Sequence, residues 1–341
     1  MIEVTKAHEL DIVELMEDLP EYGLKKGAQG TVVEVFDKPE EAYMVEFLED
    51  SGAISKIADW VKPDQIRNID AIAKEMYVQG MSRLQQGKTI EAARDFRRAI
   101  ELIPNYVRVL HQFLSIPLAK SENWSKLREA MLFIRLIDPT YEYARYNLAI
   151  SYLNDGAQEA NNGNYEKALV LFYSALRVEA LPDTVELIKE NISNSHTLLG
   201  IQAHQRNEFQ STVDHMEQAF TFNPNERTRH DLGVAYFYAA MFYSDNEELQ
   251  KATIYYHQAE DTGMILPEVL NNHASILVDQ GEIDEAILYL ESAQALAPED
   301  KVISSNLSKL LNNKVAVDLS TKTGINFYPV PSMHVAELLA T

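Results

Sequence analysis

One spacing of small and bulky side chains returns along this chain. Gly80, Ala92, Phe96, Ala99 and Pro104 follow one another at intervals of 12, 4, 3 and 5 residues. Ala274, Ala286, Leu290, Ala293 and Pro298 repeat those intervals, and Gly200, Ala219 and Pro224 fall at matching places. A period of about 34 residues with these residue types specifies stacked helix pairs. Small residues let two helices approach where they cross, a ring or long aliphatic fills the gap between them, and Pro stops the second helix of each pair.

An array of this kind grows by adding neighbours, so 341 residues exceed no core-size limit. The apolar share of 46% is ordinary for a soluble chain. No run reaches the roughly 18 apolar residues that a membrane helix requires. Met1 to Glu14 shows no basic-then-apolar leader pattern. With no cysteine there is no disulfide, thiolate metal site or cysteine nucleophile, which fits a reducing cytoplasm. The net charge of −22 opposes nucleic acid and anionic membranes, whose binding rests on Lys and Arg.

Residues 1–69 have a different character. Thr31 to Phe36, Ala42 to Leu48 and Ile54 to Val61 are β-prone runs, separated by turn signals at Asp37-Lys38-Pro39 and Asp50-Ser51-Gly52. The reading is a small β-barrel or curled sheet, too small to be robust alone. The segments Asp18-Leu19-Pro20-Glu21, Gly23-Leu24-Lys25-Lys26-Gly27, Gly30 to Val35, Tyr43-x-Val45-Glu46-Phe47 and Asp64-Gln65-Ile66 resemble a small, uncharacterised bacterial domain with an SH3-like or KOW-like barrel. That resemblance implies a bacterial source, cyanobacteria among the candidates, and association with toxin-like partners. It is nearly silent on activity.

Residues 70–300 resemble the tetratricopeptide repeat family, which implies a right-handed α-solenoid. Six units are expected: Ala73 to Tyr106, a degenerate Val107 to Thr140, Tyr141 to Asp183, Thr184 to Glu226, Arg227 to Ile265, and Leu266 to Asp300. Ala149 to Ala168 and Gly233 to Ala252 both span 19 residues in place of 12, so each is read as carrying a seven-residue insertion. Two extra turns keep the apolar face in phase and add about 10 Å. In the fifth unit the aromatic run Tyr236 to Tyr243 either extends the core or forms an exposed binding edge. Residues 301–314, with Val302, Leu307, Leu310 and Leu311, read as a capping helix. Residues 315–341 are too apolar for a plain disordered tail, and either pack on the array or dock on a partner.

Nothing in the sequence argues for catalysis, a cofactor or a metal. Gly87-Lys88-Thr89 lacks the spacing and the preceding strand of a phosphate loop, and fits a helix–helix turn. The nine histidines include no His-x-x-x-His, and His196 and His204 read as surface or groove residues. The remaining functional signal is the inner face of the array. In the repeat family it is lined by fixed positions of each first helix. Carried over, these are Lys74, Tyr77, Met81, Leu84 and Gln85 in the first unit, and Gln112, Ile116 and Lys120 in the second. The third gives Tyr143, Tyr146, Ile150 and Asn154, and the fourth Asn194, Thr197, His204 and Gln205. The fifth supplies Arg227, His230, Phe237 and Tyr238, and the sixth Asn271, Ser275 and Asp279.

Rings give rigid contact area and amides bond a peptide backbone, so the expected role is a non-enzymatic scaffold holding a protein or extended peptide. Tyr77 and Met81 stand where chaperone-tail receptors of the family carry Lys and Asn, which argues against that ligand. The alternatives are an antitoxin or immunity-type partner of a toxin, and a bacterial signalling-peptide receptor. The oligomeric state is left open. This reading expects Tyr146→Ala or Tyr238→Ala to weaken partner binding with unchanged helical circular dichroism; unaltered affinity in both counts against the groove.

Overall fold

The structure, a computed structural model, describes residues 6–48, 55–178 and 182–313. The C-terminal segment 315–341 lies outside the described residues. Within them are five strands and thirteen α-helices. The chain divides into two compact units, Met1–Ser151 and Tyr152–Thr341.

The first unit opens with β1 (Ile12–Leu15), β2 (Gln29–Phe36), β3 (Ala42–Leu48), β4 (Ser55–Val61) and β5 (Ile66–Asn68). They form one antiparallel sheet in the order β4-β3-β2-β1-β5. Register shifts between Val32 and Glu34 and between Tyr43 and Val45 mark bulges, which bend a sheet and increase its twist. Alternation sends Val13, Leu15, Val32, Val45, Phe47, Ala58 and Val61 into one core with Leu19, Leu24 and Ile66. The predicted β-prone runs are therefore strands β2, β3 and β4.

β5 runs straight into α1 (Ile69–Gln85), and Asn68 joins the two. Its Oδ1 accepts the Ala71 amide at 2.9 Å as the N-cap, while its Nδ2 donates to Asp11 at 2.6 Å. The Ile12 amide donates to Asp70 of α1 at 2.6 Å, a second tie between sheet and helix. Then follow α2 (Thr89–Leu102), α3 (Tyr106–Lys120) and α4 (Trp124–Ile137). Ala92, Phe96, Leu110, Phe133 and Ile137 make their shared core.

α5 (Glu142–Asn161) crosses the boundary between the units. The second unit continues with α6 (Tyr165–Leu176), α7 (Pro182–Gln205), α8 (Phe209–Phe222), α9 (Glu226–Asp245), α10 (Leu249–Asp261), α11 (Pro267–Gln280), α12 (Ile283–Leu296) and α13 (Lys301–Asn313). From α6 onward each helix packs on the next. α13 buries Ile303, Leu307 and Leu310 against the α11–α12 core and leaves Leu311 exposed, which is the form of a capping helix.

The corners show what the repeating pattern does. Gly80, Ser115, Gly156, Gly200, Ala240 and Ala274 sit near the ends of the six first helices. Sixteen residues after them come Phe96, Met131, Phe172, Met216, Tyr256 and Leu290, all buried. A Cβ on Gly156 would stand 2.6 Å from the Phe172 ring, and one on Gly80 would stand 3.0 Å from Phe96. The small residue is therefore the floor on which the next helix lays its ring. The turn between the two helices of each pair also holds one left-handed residue: Gly87, Glu122, Gly163, Asn207, Glu247 or Gly281. Glycine adopts that conformation without the steric cost other residues meet.

This register corrects the placement of the two insertions. Gly156 and Ala240, not Ala149 and Gly233, stand 12 residues before Ala168 and Ala252. The intervals in the third and fifth units are thus standard, and the extra residues lengthen the N-terminal ends of α5 and α9, each 20 residues. Seven residues are nearly two turns, so Ala149 and Gly233 lie on the same face as the true floor residues and mimic them in sequence. Gly233 in fact faces Thr262 and Met264. Among the described residues no helix is long and apolar enough to cross a membrane.

Gly156→Ala and Gly200→Ala separate the two kinds of floor. Alanine favours helix by about 1 kcal/mol over glycine. At Gly156 the rigid Phe172 ring has no way to yield, so the variant is expected to lose about 1–3 kcal/mol by overpacking. At Gly200 the contact is the flexible tip of Met216, 2.9 Å away, and stability should stay within about 1 kcal/mol of wild type. Denaturant titration of both variants checks this, and a stabilised Gly156→Ala would contradict the packing account.

Candidate functional site

The first helices of the first unit carry the clearest candidate surface. On α3, Val109, Gln112, Phe113, Ile116 and Lys120 share one face by their spacing, and all are exposed. Val109 is 42% exposed, Phe113 56% and Ile116 48%. Three apolar side chains on one helical face in water mark a contact surface more often than a solvated one. Pro117 stands inside α3 and has no amide hydrogen, so the Phe113 carbonyl lacks the regular bond one turn on. That carbonyl is an acceptor beside the apolar stripe.

α5 continues the surface at its N-terminal turns. His111 of α3 is buried; its Nε2 lies 2.7 Å from Asn147 Nδ2, and Tyr141 and Tyr143 pack around its ring. Burial lowers the His111 pKa and favours its neutral form. Tyr143 is 65% exposed and Tyr146 38%. Both rings lie on the extra turns of α5, upstream of the positions equivalent to Lys74 and Tyr77. The local charge is also distinct. Residues 88–137 hold nine Lys and Arg against five Asp and Glu, within a chain of net charge −22. Arg94, Arg97, Arg98, Arg108 and Lys120 are exposed among them.

The other expected groove residues have varied surroundings. Lys74 and Gln85 are exposed, whereas Tyr77, Met81 and Leu84 pack on the α1–α3 core. Tyr77 stacks on Tyr106 at 5.0 Å and meets Phe96 edge-on at 5.3 Å. In the second unit Asn154 is half-buried, Asn194 is exposed and Thr197 is buried. His204 lies between Phe209 and Tyr238, with the Tyr238 ring 4.7 Å away, and Phe237 packs on Tyr238 and Tyr256. Tyr238→Ala would therefore disturb packing as well as any ligand contact, while Tyr146→Ala tests the surface.

Arg227 and His230 are exposed on the extra turns of α9, each 3.8 Å from the buried Asp231. His230 also lines an open cavity of about 300 Å³ with Glu226, Arg229, Thr262, Met264 and Leu266. Asn271 is wholly buried: its side-chain oxygen accepts from Asn306 of α13 at 2.8 Å. It ties the capping helix down, and nothing bound to the surface reaches it here. The aromatic run of α9 mostly extends the core. Tyr236 donates to Glu217 at 2.8 Å, and Tyr243 stacks on Tyr255 at 5.4 Å. Phe242 is its exposed ring.

Two histidine clusters in the second unit have no simple sequence signature. His196 of α7 is buried, with Nε2 3.1 Å from the Tyr173 hydroxyl and Nδ1 3.1 Å from His215 Nδ1. One Nδ1 must donate and the other accept, so at least one ring is neutral, and burial lowers the pKa of both. Burial, and secondarily His215, lower the His196 pKa to about 4. The second cluster, His257, Glu260 and His273, is the group of metal-type ligands found among the described residues. Lys88 of the Gly-Lys-Thr sequence bonds Gln86 at the α1–α2 corner, as a turn residue would.

Known proteins resemble parts of the chain. Residues 267–300 match the family described as Tetratricopeptide repeat. Residues 9–67 match the family described as Domain of unknown function (DUF4926). The chain is 24% identical over 175 residues to the photosystem I assembly protein Ycf3 of Cyanophora paradoxa, covering 47% of this chain and 74% of the relative. Similar solved structures include pilF of Pseudomonas aeruginosa, at 18% identity and TM-score 0.27, covering 71% of this chain and all of the other. Another is the P58(IPK) TPR domain, at 11% identity and TM-score 0.31, covering 71% and 65%. The family matches thus place one tetratricopeptide repeat at residues 267–300 and a domain of unknown function at residues 9–67. Repeats of this kind are protein-interaction modules.

The His196–His215 pair predicts a pH dependence with a definite sign. Above the ordinary histidine pKa of 6.5 both states are neutral, and the pair costs no stability. As pH falls below 6.5 the unfolded chain takes the proton first, and stability drops until about pH 4, where the folded His196 also binds it. Between pH 6.5 and 5 the loss is about 2 kcal/mol for this group, or roughly 4–8 °C in Tm. His196→Gln removes the titrating group, so its Tm should fall less over the same interval. An equal fall in both proteins, measured by thermal circular dichroism, would sink this assignment.

Proposed function

We propose that this chain is a non-enzymatic docking protein, which holds a protein segment carrying apolar side chains flanked by acids. The segment lies along the exposed face of α3 and the extra N-terminal turns of α5. The observation that carries this is the solvent exposure of Val109, Phe113, Ile116, Tyr143 and Tyr146 beside Arg108 and Lys120. Apolar anchors at helical spacing supply the contact area, and basic side chains around them select for acids and against cationic partners. The Phe113 carbonyl offers a backbone contact that an extended segment can use.

The face presents Gln, Lys, Tyr and aliphatic groups, with no nucleophile set beside a base, which suits binding over turnover. The relative named for photosystem I assembly supports the same class of role, in which a chain brings other proteins together. The cysteine-free composition suits a reducing bacterial cytoplasm. The net charge of −22 argues that its partners are not nucleic acids.

The test is selection of a random peptide library on the full chain. Enriched peptides are expected to combine aliphatic or aromatic residues with Asp or Glu. Their affinity should fall roughly tenfold or more in Phe113→Asp and in Lys120→Glu, with far-UV circular dichroism unchanged. Rising salt should weaken them further. Enriched peptides that bind both variants as tightly as wild type would place the site elsewhere.

A further inference from the structure

The second unit brings together three side chains that the sequence keeps apart. His257 and Glu260 lie one turn apart on α10, so they share a face. His273 comes from α11 and is wholly buried. Its Nδ1 stands 2.8 Å from Glu260 Oε1, and His257 Nδ1 stands 3.9 Å from Glu260 Oε2. One ligand atom from each residue falls within 4.8 Å of the others. We propose that His257, Glu260 and His273 form a binding site for one transition-metal dication of the zinc class, which pins α10 to α11.

Four features favour a metal site over a plain ion pair. Both carboxylate oxygens of Glu260 are engaged, each facing a different imidazole. The Tyr289 hydroxyl of α12 donates to Glu260 Oε2 at 3.0 Å, an outer hydrogen bond of the type that orients a ligating carboxylate. The His273 ring is held from both sides, stacked on Tyr256 at 5.3 Å and tilted against Tyr289 at 4.5 Å. Its orientation is thus set before any ion arrives. His257 is half exposed, which gives an ion a way in and leaves one ligand free to adjust.

The donor set decides the kind of ion. Two imidazoles and one carboxylate make a borderline set that selects zinc, cobalt or nickel over magnesium and calcium, which prefer oxygen. Tetrahedral zinc at about 2.0–2.1 Å from each ligand spaces them about 3.3 Å apart. The present spread closes to that with a small rotation of His257, the exposed member. On binding, His273 presents the Nδ1 lone pair, so the proton there moves to Nε2 or leaves. Nε2 is buried and has no hydrogen-bond partner now, and so no existing bond opposes that change. Three protein ligands leave a fourth position on the His257 side for water or for a side chain of a docked protein.

The experiment is titration of the chelator-treated full chain with zinc chloride by calorimetry, followed by cobalt absorption. Expected are one zinc per chain, a raised Tm with added zinc, and the visible bands of tetrahedral cobalt. His257→Ala changes a half-exposed side chain, and Glu260→Gln keeps hydrogen-bonding atoms toward His273 and Tyr289. Each should keep helical circular dichroism and lose roughly tenfold or more in zinc affinity. Magnesium should give no saturable binding. The proposal is overturned by an absence of zinc binding, by magnesium binding of equal strength, or by both variants binding zinc as tightly as the unaltered chain.

Discussion

The packing of one buried ring on one small residue organises the helical part of this protein. Phe96 over Gly80, Phe172 over Gly156 and Met216 over Gly200 are the same contact made at the first, third and fourth corners. Each fully buried ring or long side chain contributes on the order of 2–3 kcal/mol, but only if the opposing helix comes close enough to cover it. A methyl group on the floor residue prevents that where the ring is rigid. Ala92, Ala99, Ala168, Ala175, Ala252, Ala259, Ala286 and Ala293 are all buried on the second helices for the related reason that they face a neighbour at short range. Stability is therefore local to each corner and to the next helix, which is the energetics of a repeat array.

Because that contact needs particular residue sizes at fixed intervals, it is the part of the structure the sequence displays best. The helix pairs, the capping helix at Lys301–Asn313 and the strands of the N-terminal sheet all follow from side-chain size, period and turn residues. The insertions in the third and fifth units were legible in length but not in position. A shift of seven residues returns to nearly the same helical face, so Ala149 and Gly156 look alike to a periodicity argument. What separates them is which one stands opposite Phe172, and that is a contact between helices. The same limit hides Asn271, whose position faces the inner side in the family pattern but lies here under Asn306 of α13.

The candidate surface was legible only in part for a related reason. Gln112, Ile116 and Lys120 are identified by position, and exposure adds Val109 and Phe113 beside them. Tyr143 and Tyr146 qualify through the extra turns of α5, not through equivalence to the first unit. Charge adds a further distinction that composition averages away. The chain is strongly acidic, yet residues 88–137 are net basic. An acidic body with a basic, partly apolar stretch discriminates among protein partners by sign as well as by shape.

The two histidine clusters extend the logic of the corners to polar side chains. Tyr173 follows the ring residue Phe172, and His257 follows Tyr256. His215 precedes Met216, and Tyr289 precedes Leu290. In both places the residue after one ring and the residue before the next ring approach a histidine of the intervening first helix, His196 or His273. The repeat thus builds the same polar niche twice, where three successive helices meet. The chemistry differs because Tyr and His exchange places across the niche and because of one further position, four residues past the ring. It is Leu176 in the first niche and Glu260 in the second. With leucine there, a neutral hydrogen-bonded pair is the favoured state and protonation is resisted. With glutamate, the carboxylate supplies the charge that a cation requires. Exchanging Tyr and His across the niche and adding one carboxylate separates a pH-sensitive packing contact from the proposed ligand set.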